Sequence, residues 1–341
     1  MQEAKNEHFI RNIEIKNFKC FEDFKAEGFG RVNLIGGKNN VGKTAFMEAL
    51  STNIFSKNLG YFIIALIKFK NRRDTLNHLR AYIDSTKNSF RERFITNPLQ
   101  NSKLFDVKTN KRETLFIPKE ENGIIKYFFK IDNHEYYFNI EDTPLIGKEK
   151  NIIFISVYGL DNQKMVSYFA SIQKEDKEDF LNEALQLIDL NITKFKILEE
   201  KPYCKVGSEY LELTELGDGI KHFISIILAL YQAKDGYLFI DEVGNGIHHS
   251  TLDKLWNIIL TLAKEQNVQI FATTHSDECI RALVTANREN VKTYQPKEHI
   301  LNDDEIKFIE LGRVDGKVDS IIFDFKELEN EIAQNMEICG W

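Results

Sequence analysis

A glycine-rich segment between an apolar run and a helix-forming run constrains this chain more than any other feature. Val32-Asn33-Leu34-Ile35 is predicted to form a short buried strand, and residues 44–50 are rich in helix formers. The segment between them fits the pattern GxxxxGK[ST] with the residues Gly37, Lys38, Asn39, Asn40, Val41, Gly42, Lys43 and Thr44. A strand, a glycine loop and a helix in this order are the context that a phosphate-binding P-loop requires.

Each fixed position of this loop has a chemical reason. Glycine lets backbone amides approach the β- and γ-phosphates of a nucleotide, Lys43 brings a positive charge to them, and Thr44 offers a hydroxyl to Mg²⁺. The alternative is a glycine-rich turn that matches by chance, which the flanking strand and helix disfavour. We therefore expect ATP and Mg²⁺ as ligands, with phosphates bound by Gly37, Asn39, Asn40, Val41, Gly42, Lys43 and Thr44.

A second apolar strand ends in two acids. Residues 237–240 are followed directly by Asp241 and Glu242. Acids often lie where strands leave a core, so this pattern is weak alone, but it gains weight beside a P-loop. We expect Asp241 to hold Mg²⁺ together with Thr44, and Glu242 to polarise the attacking water as a general base.

A histidine follows a third apolar strand. His275 comes 33 residues after Glu242, past one predicted helix and the strand at residues 268–272. A lone histidine is usually structural. Because ligands bind at the carboxyl edge of open α/β sheets, this position instead favours a catalytic sensor of the γ-phosphate.

The rest of the chain divides into three predicted parts. Residues 1–54 form the N-terminal part of the ATPase domain, 55–200 an insertion, and 201–341 the C-terminal part. The insertion is predicted to hold a mostly helical basic segment, then an antiparallel meander over 114–140 and an amphipathic helix over 176–190. Parallel strands with helices on both faces are expected in the C-terminal part, with a hairpin near its end.

Charge is unevenly distributed along the chain. The net charge is −7, which argues against general attraction to nucleic acid. Residues 57–112, however, carry 13 Lys and Arg against 4 Asp and Glu. This segment is a solvated surface, a dock for a protein partner or a path for nucleic acid, and the sequence leaves the three open.

Cysteine spacing and hydropathy indicate the compartment. The cysteines at 20, 204, 279 and 339 are far apart and form no CxxC pair, as in a reducing environment. The longest apolar run, residues 59–67, is about half of a membrane span. We expect a soluble, cytoplasmic protein with no membrane contact.

The order of these motifs resembles that of ABC-type ATPases, and most closely the OLD-like and RecF-like soluble ATPases of the AAA group. The resemblance is carried by residues 15–21, 37–44, 215–221 and 240–248 and by the tail, and it is weak over 55–200. It implies an α/β ABC-type P-loop NTPase with a mixed or parallel sheet core, an antiparallel β lobe and a helical insertion.

The resemblance also implies a homodimer that encloses two ATP molecules. The signature segment Gly217-Asp218-Gly219 of one subunit would complete the P-loop of the other. Gly217 stands where the signature usually has serine, so one hydroxyl contact to the γ-phosphate is lost. The alternative is a Gly-Asp-Gly turn that caps a core helix. The sequence does not identify a Q-loop glutamine.

Function follows from the resemblance as an expectation. Only 66 residues follow His275, too few for the TOPRIM nuclease domain of full-length OLD proteins. We expect an ATPase that controls a separately encoded effector, a TOPRIM-type nuclease or a toxin, in prokaryotic anti-phage defence. The alternative is a RecF-like DNA-binding ATPase in DNA repair, gripping nucleic acid through residues 57–112. A transporter subunit is disfavoured by the long basic insertion.

Overall fold

The computed structural model describes residues 7–58, 60–63, 65–66, 104–121, 124–138, 151–288 and 300–334. The strands are β1 Asn12–Phe18, β2 Phe21–Glu27, β3 Val32–Gly36, β4 Phe105–Thr109, β5 Glu113–Glu121, β6 Ile124–Ile131, β7 His134–Phe138, β8 Ile152–Ile155, β9 Ile192–Leu198, β10 Lys201–Val206, β11 Glu209–Glu212, β12 Tyr237–Ile240, β13 Gln269–Thr273, β14 Ile306–Val314 and β15 Lys317–Asp324. The α-helices are α1 Lys43–Phe55, α2 Asn162–Lys174, α3 Glu178–Ile188, α4 Asp218–Gln232, α5 Leu252–Glu265, α6 Asp277–Arg288 and α7 Phe325–Ala333.

A six-stranded sheet in the order β15-β14-β3-β13-β12-β8 is the centre of the molecule. Five of its strands are parallel, and β15 joins β14 as an antiparallel hairpin. Strands β3, β13 and β12 are adjacent, so their carboxyl ends meet at one edge. That edge carries the P-loop after β3, the two acids after β12 and the histidine after β13.

Both faces of the central sheet are buried, as its short, continuously apolar strands require. Leu238, Ile240 and Ile270 point into one core, which is built with α4 and α5 and includes Trp256. Alternate residues point into a second core with α1 and β1, where Phe239 and Phe271 stack with their ring centroids 5.6 Å apart. The alternation follows from the two-residue repeat of a strand.

An antiparallel sheet in the order β2-β1-β4-β5-β6-β7 covers the second core. Its inner residues are largely aromatic, and Phe116 contacts both Phe105 and Phe129 at centroid distances of 5.1 Å. A third sheet, β11-β10-β9, packs against α2 and α3 and leads through a 3-10 turn, Leu213–Glu215, into α4.

The structure confirms the α/β class with a mixed sheet core and an antiparallel sheet. The predicted amphipathic helix and the hairpin near the end are present, and so are the described strands of the predicted meander. Strands β1 and β2 form a further hairpin near the N-terminus. Most of the basic segment, residues 67–103, lies outside the described residues, as do residues 122–123 and 139–140 of the predicted meander. The three-part division of the chain stays a prediction.

Two features of this architecture were not predicted. Phe105–Thr109 lies in the segment predicted to be mostly helical, yet it is a strand, because buried Phe105, Val107 and Thr109 alternate with more exposed residues and pair with β1. The central sheet also takes strands from outside the C-terminal part. Strand β3 lies between β14 and β13, and β8, from the predicted insertion, forms the sheet edge beside β12.

Among the described helices, none combines the length and the apolar character needed to cross a bilayer.

Asn53 joins the P-loop helix to the antiparallel sheet. The side chain is 1% exposed, and its amide donates to Val107 O, Arg112 O and Thr114 Oγ1 at 2.9–3.1 Å. Its Oδ1 accepts from Thr109 Oγ1 at 2.9 Å.

Asn53→Ala should lower the free energy of unfolding by about 3 kcal/mol, because buried carbonyl and hydroxyl groups lose their partners. Urea denaturation measures the change. Asn330→Ala, on the exposed part of α7, is the matched control and should stay within about 0.5 kcal/mol of wild type. Equal stability of the two variants would show that this hydrogen-bond cluster does not hold the sheet to the helix.

Candidate nucleotide site

The P-loop leaves β3 and enters α1 in a conformation that its glycines permit. Gly37 has φ +128°, and a Cβ there would lie 2.3 Å from the carbonyl oxygen of Leu311. Gly42 has φ +122°, and a Cβ would come 2.7 Å from Cys20 Sγ. Asn40 also has positive φ, 64°, which asparagine tolerates better than most residues. Loop residues 38–40 are exposed, so the loop opens to solvent where a ligand would arrive.

Lys43 lies inside the curve of this loop. Its side chain is nearly buried, and Nζ donates to the carbonyl oxygens of Gly37 at 2.7 Å and Lys38 at 3.2 Å. Backbone amides at the start of α1 add partial positive charge to the same region. The loop therefore holds an ammonium group at the place where phosphate oxygens bind in P-loops.

Thr44 and Asp241 meet at the carboxyl edge of the sheet. Thr44 Oγ1 donates to Asp241 Oδ1 at 3.2 Å, and Thr273 Oγ1 donates to the same oxygen at 3.1 Å. The Asp241 backbone N–H donates to Ile155 O at 2.9 Å, which fixes the residue between β8 and β13. Three strands thus place one carboxylate beside the P-loop threonine.

This oxygen donor set fits a hard divalent cation. Mg²⁺ binds oxygen ligands, keeps several waters and uses only one or two protein groups beside substrate phosphates. The described residues contain no cluster of three or more His, Cys, Asp or Glu that would form a complete protein cage. Thr44 and Asp241 therefore suit Mg²⁺ held partly by water and by a nucleotide.

Glu242 and His275 form a second polar pair at the same edge. Glu242 Oε2 lies 2.7 Å from His275 Nδ1, so the imidazole can donate to the carboxylate and keep Nε2 free to face solvent. The Glu242 side chain is 24% exposed and that of His275 60% exposed, so both can be reached by water and ligand.

The backbone of Glu242 is held in an uncommon conformation. Its φ is 54°, and its N–H donates to Thr273 Oγ1 at 2.9 Å. Thr273 thus contacts Asp241 through its proton and Glu242 through its oxygen. Strained positions of this kind persist only where the surroundings impose them, and they concentrate at functional sites.

The signature segment is fixed to the turn that follows β12. Gly217 has φ +84° and precedes α4, and Asp218 lies in the first helical turn. A Cβ on Gly219 would lie 2.0 Å from the carbonyl oxygen of Gly246. The structure thus brings Gly219 against Gly246 of the same chain, while Gly217 and Asp218 remain exposed. Their contact with a phosphate of a second protomer stays a prediction.

Sequence reasoning missed three contributors to this edge. Thr273 is the first, and the sequence gives no signal for it, because its contacts with Asp241 and Glu242 arise from the pairing of β12 with β13. Ile155, the last residue of β8, is the second, because its carbonyl oxygen accepts from the Asp241 backbone N–H at 2.9 Å. The turn after Ser156 is tied down by Leu160 N donating to Ser225 Oγ at 2.9 Å and by Asn245 Nδ2 donating to Val157 O at 2.8 Å. Sequence gives no signal for either link, since each joins distant segments.

His222 is the third missed residue. It lies on α4, is 1% exposed, and sits close to the backbone of Glu242 and Val243. Burial lowers the pKa of His222 to about 4, and proximity to the carbonyls of Val243 and Glu242 opposes that change only in part. The imidazole is therefore neutral at pH 7.

A sequence profile of the family described as "AAA domain, putative AbiEii toxin, Type IV TA system" matches residues 70–281. The match covers more than half of the chain, so the chain belongs to this AAA-domain family. The matched range contains Asp241, Glu242 and His275, and the P-loop precedes it. The protein is thus an ATPase of the AAA-domain family with a P-loop.

One relative in sequence and two solved structures are similar to this chain. The chain is 27% identical over 348 residues to an ATP/GTP phosphatase of Helicobacter pylori, covering 87% of this chain and 93% of the relative. The Smc head bound to the C-winged helix domain of ScpA aligns with TM-score 0.53 and 10% identity over 94% of this chain and 99% of that one. A Pyrococcus furiosus Smc head domain with an extended coiled coil, bound to the C-terminal domain of ScpA, aligns with TM-score 0.51 and 9% identity over 96% and 99%. At such identities the likeness shows the fold alone.

The buried His222 makes stability depend on pH. Its folded pKa, about 4, lies below the ordinary 6.5, so the unfolded chain binds the proton more readily. The free energy of unfolding therefore has its full value above about pH 6.5 and decreases as the pH falls toward 4, because only the unfolded chain takes up this proton readily. Wild type should therefore lose about 2 kcal/mol more free energy of unfolding between about pH 7 and pH 5 than His222→Gln. Urea denaturation at both pH values measures this. Identical pH dependence of the two proteins would mean that the imidazole is not held neutral.

Proposed function

We propose that this ATPase closes into a homodimer around two ATP molecules and thereby controls a separately encoded effector. The observation that carries the catalytic part is the linked set Thr44, Asp241, Thr273, Glu242 and His275 at one sheet edge. The proposal is supported by the oxygen donors, the Glu242 carboxylate and the His275 imidazole that lie together beside the phosphate loop.

The residues take distinct roles in this proposal. Lys43 neutralises phosphate charge, and the amides of residues 37–44 hold the phosphate oxygens. Mg²⁺, when bound, would be held by Thr44 and, through water, by Asp241, and it would neutralise negative charge on the phosphates. Glu242 accepts a proton from the attacking water through the oxygen that does not face His275. His275, oriented by Glu242, directs its Nε2 toward the γ-phosphate.

The dimer part of the proposal draws on the exposed signature. Gly217 and Asp218 lie at the open N-terminus of α4, where backbone N–H groups and the helix dipole attract an anion. The turn at Asn245 and Gly246 is exposed beside them and packs against Gly219. A phosphate bound to the P-loop of one protomer and to this helix end of another would favour the closed state, because only that state offers both contacts.

Effector control and a role in anti-phage defence rest on the OLD-like resemblance of the motifs. The description of the family as containing a toxin of a toxin–antitoxin system points in the same direction. In this proposal the effector is a TOPRIM-type nuclease or a toxin in the cytoplasm, and hydrolysis or a trigger reopens the dimer. The second candidate, a RecF-like DNA-binding ATPase, is favoured by the basic character of residues 57–112.

Glu242→Gln should lower ATP turnover by about 10² to 10⁴, because the amide cannot accept a proton. ATP binding should survive, so the variant should run as an ATP-dependent dimer in size-exclusion chromatography with light scattering. Lys43→Ala is the companion variant and should lose both ATP binding and ATP-dependent association. Unchanged hydrolysis in Glu242→Gln would remove Glu242 as the base, and ATP-dependent dimers of Lys43→Ala would refute the role of the P-loop.

The same Glu242→Gln protein separates the two candidate functions. Tagged protein is captured with Mg-ATP from the cells that natively contain it, and bound protein and nucleic acid are identified. A stoichiometric nuclease or toxin partner would support effector control. Duplex DNA without a protein partner would refute effector control in favour of the repair candidate.

A further inference from the structure

The small sheet β11-β10-β9 has one covered face. Phe195 and Cys204 lie opposite each other on β9 and β10 and are both buried. The Phe195 ring lies 5.0 Å from that of Phe169 on α2, and its backbone N–H donates to Asn182 Oδ1 on α3. Helices α2 and α3 therefore cover this face, and the intervening residues of each strand point away from them.

The opposite face is rich in lysine and tyrosine. Residues of alternate register on the three strands are Lys194, Lys196, Leu198, Lys201, Tyr203, Lys205, Tyr210 and Glu212. Four ammonium groups thus share this face with one carboxylate, in a chain whose net charge is −7. We call these eight residues the lysine–tyrosine face.

Two lysines of this face are placed against each other. Lys194 on β9 is directly opposite Lys205 on β10. Like charges at directly opposed positions destabilise a sheet. Lys201, by contrast, lies 3.2 Å from Glu212. Among the described residues, neither Lys194 nor Lys205 forms an ion pair, so an anion bound over them would relieve an unfavourable contact.

The aromatic residues distinguish between kinds of anion. Tyr210 is 36% exposed, and Lys196 Nζ lies 5.5 Å from the centre of its ring. Tyr203 lies on the neighbouring strand, two residues from Lys205 and Lys201. An acidic protein surface would pair with the lysines, and the tyrosines would add packing contacts but no base stacking. A single-stranded nucleic acid would use both, because its phosphates meet ammonium groups while its unpaired bases stack on tyrosine.

We propose that the lysine–tyrosine face binds single-stranded nucleic acid, with phosphates over Lys194 and Lys205 and a base stacked on Tyr210. None of its eight residues belongs to the nucleotide site or to the basic segment 57–112. Binding of nucleic acid to this face does not require the ATP-dependent dimer.

Fluorescence anisotropy with labelled, mixed-sequence single-stranded DNA and RNA tests the proposal, at salt from about 50 to 200 mM. Lys194→Glu/Lys205→Glu should weaken binding by about tenfold or more at low salt, since two phosphate contacts become repulsive. The slope of log affinity against log salt should become shallower by about 1.4, the value for two phosphates on a single strand. Tyr210→Ala should weaken binding about fivefold or more without changing that slope.

Lys317→Glu/Lys326→Glu is the control, because it makes the same charge change on exposed lysines elsewhere in the fold. It should leave affinity within about twofold of wild type. If the glutamate pair fails to fold, as judged by circular dichroism, Lys194→Gln/Lys205→Gln serves instead and should still flatten the salt slope by about 1.4.

Several results would overturn the proposal. One is that the wild-type protein binds no single-stranded nucleic acid at low salt, and another is that the control variant loses as much affinity as the lysine variant. Tighter binding of duplex than of single strands would also contradict it, as would displacement of the bound nucleic acid by poly-glutamate at equal charge concentration. The last of these would identify an acidic protein as the occupant.

Discussion

The whole site depends on one carboxylate held by two threonine hydroxyls. Asp241 accepts from Thr44 and Thr273 with the same oxygen, and these three residues end or follow three adjacent strands. Because each hydroxyl comes from a different strand connection, the contact fixes the P-loop, the acidic turn and the histidine strand relative to one another. Thr273 extends the link to the backbone of Glu242, and Glu242 extends it to His275.

The central sheet makes this convergence possible. Parallel strands bring their carboxyl ends to one edge, and both faces of the sheet are buried by cores that leave little freedom for the strands to shift. Helix α4 links the signature segment to this edge. Gly217 precedes its first turn, and His222, further along the helix, lies against the backbone of Glu242 and Val243. The exposed signature residues Gly217 and Asp218 are thus four to five residues along the chain from His222, which lies against the turn that carries Glu242.

The sequence predicts the parts of this site that local spacing defines. The P-loop pattern, the apolar strand before Asp241 and the strand before His275 are contiguous signals, so the fold class and the main site residues could be predicted from them. Thr273 could not be assigned a role, because a threonine in a buried strand is ordinary for its β-propensity. The contact of Gly219 with Gly246, the link from Ser225 to Leu160 and the strand Phe105–Thr109 depend on pairings between distant segments, which no local pattern encodes.

The central claim is that a P-loop is completed only by a second copy of the chain. The most direct test is the specific rate of ATP hydrolysis over a wide range of protein concentration at saturating Mg-ATP. A composite site predicts that turnover per protomer falls on dilution, as dimers dissociate by mass action. A specific activity that stays constant down to concentrations where light scattering detects only monomers would contradict the account, because each chain would then carry a complete catalytic site.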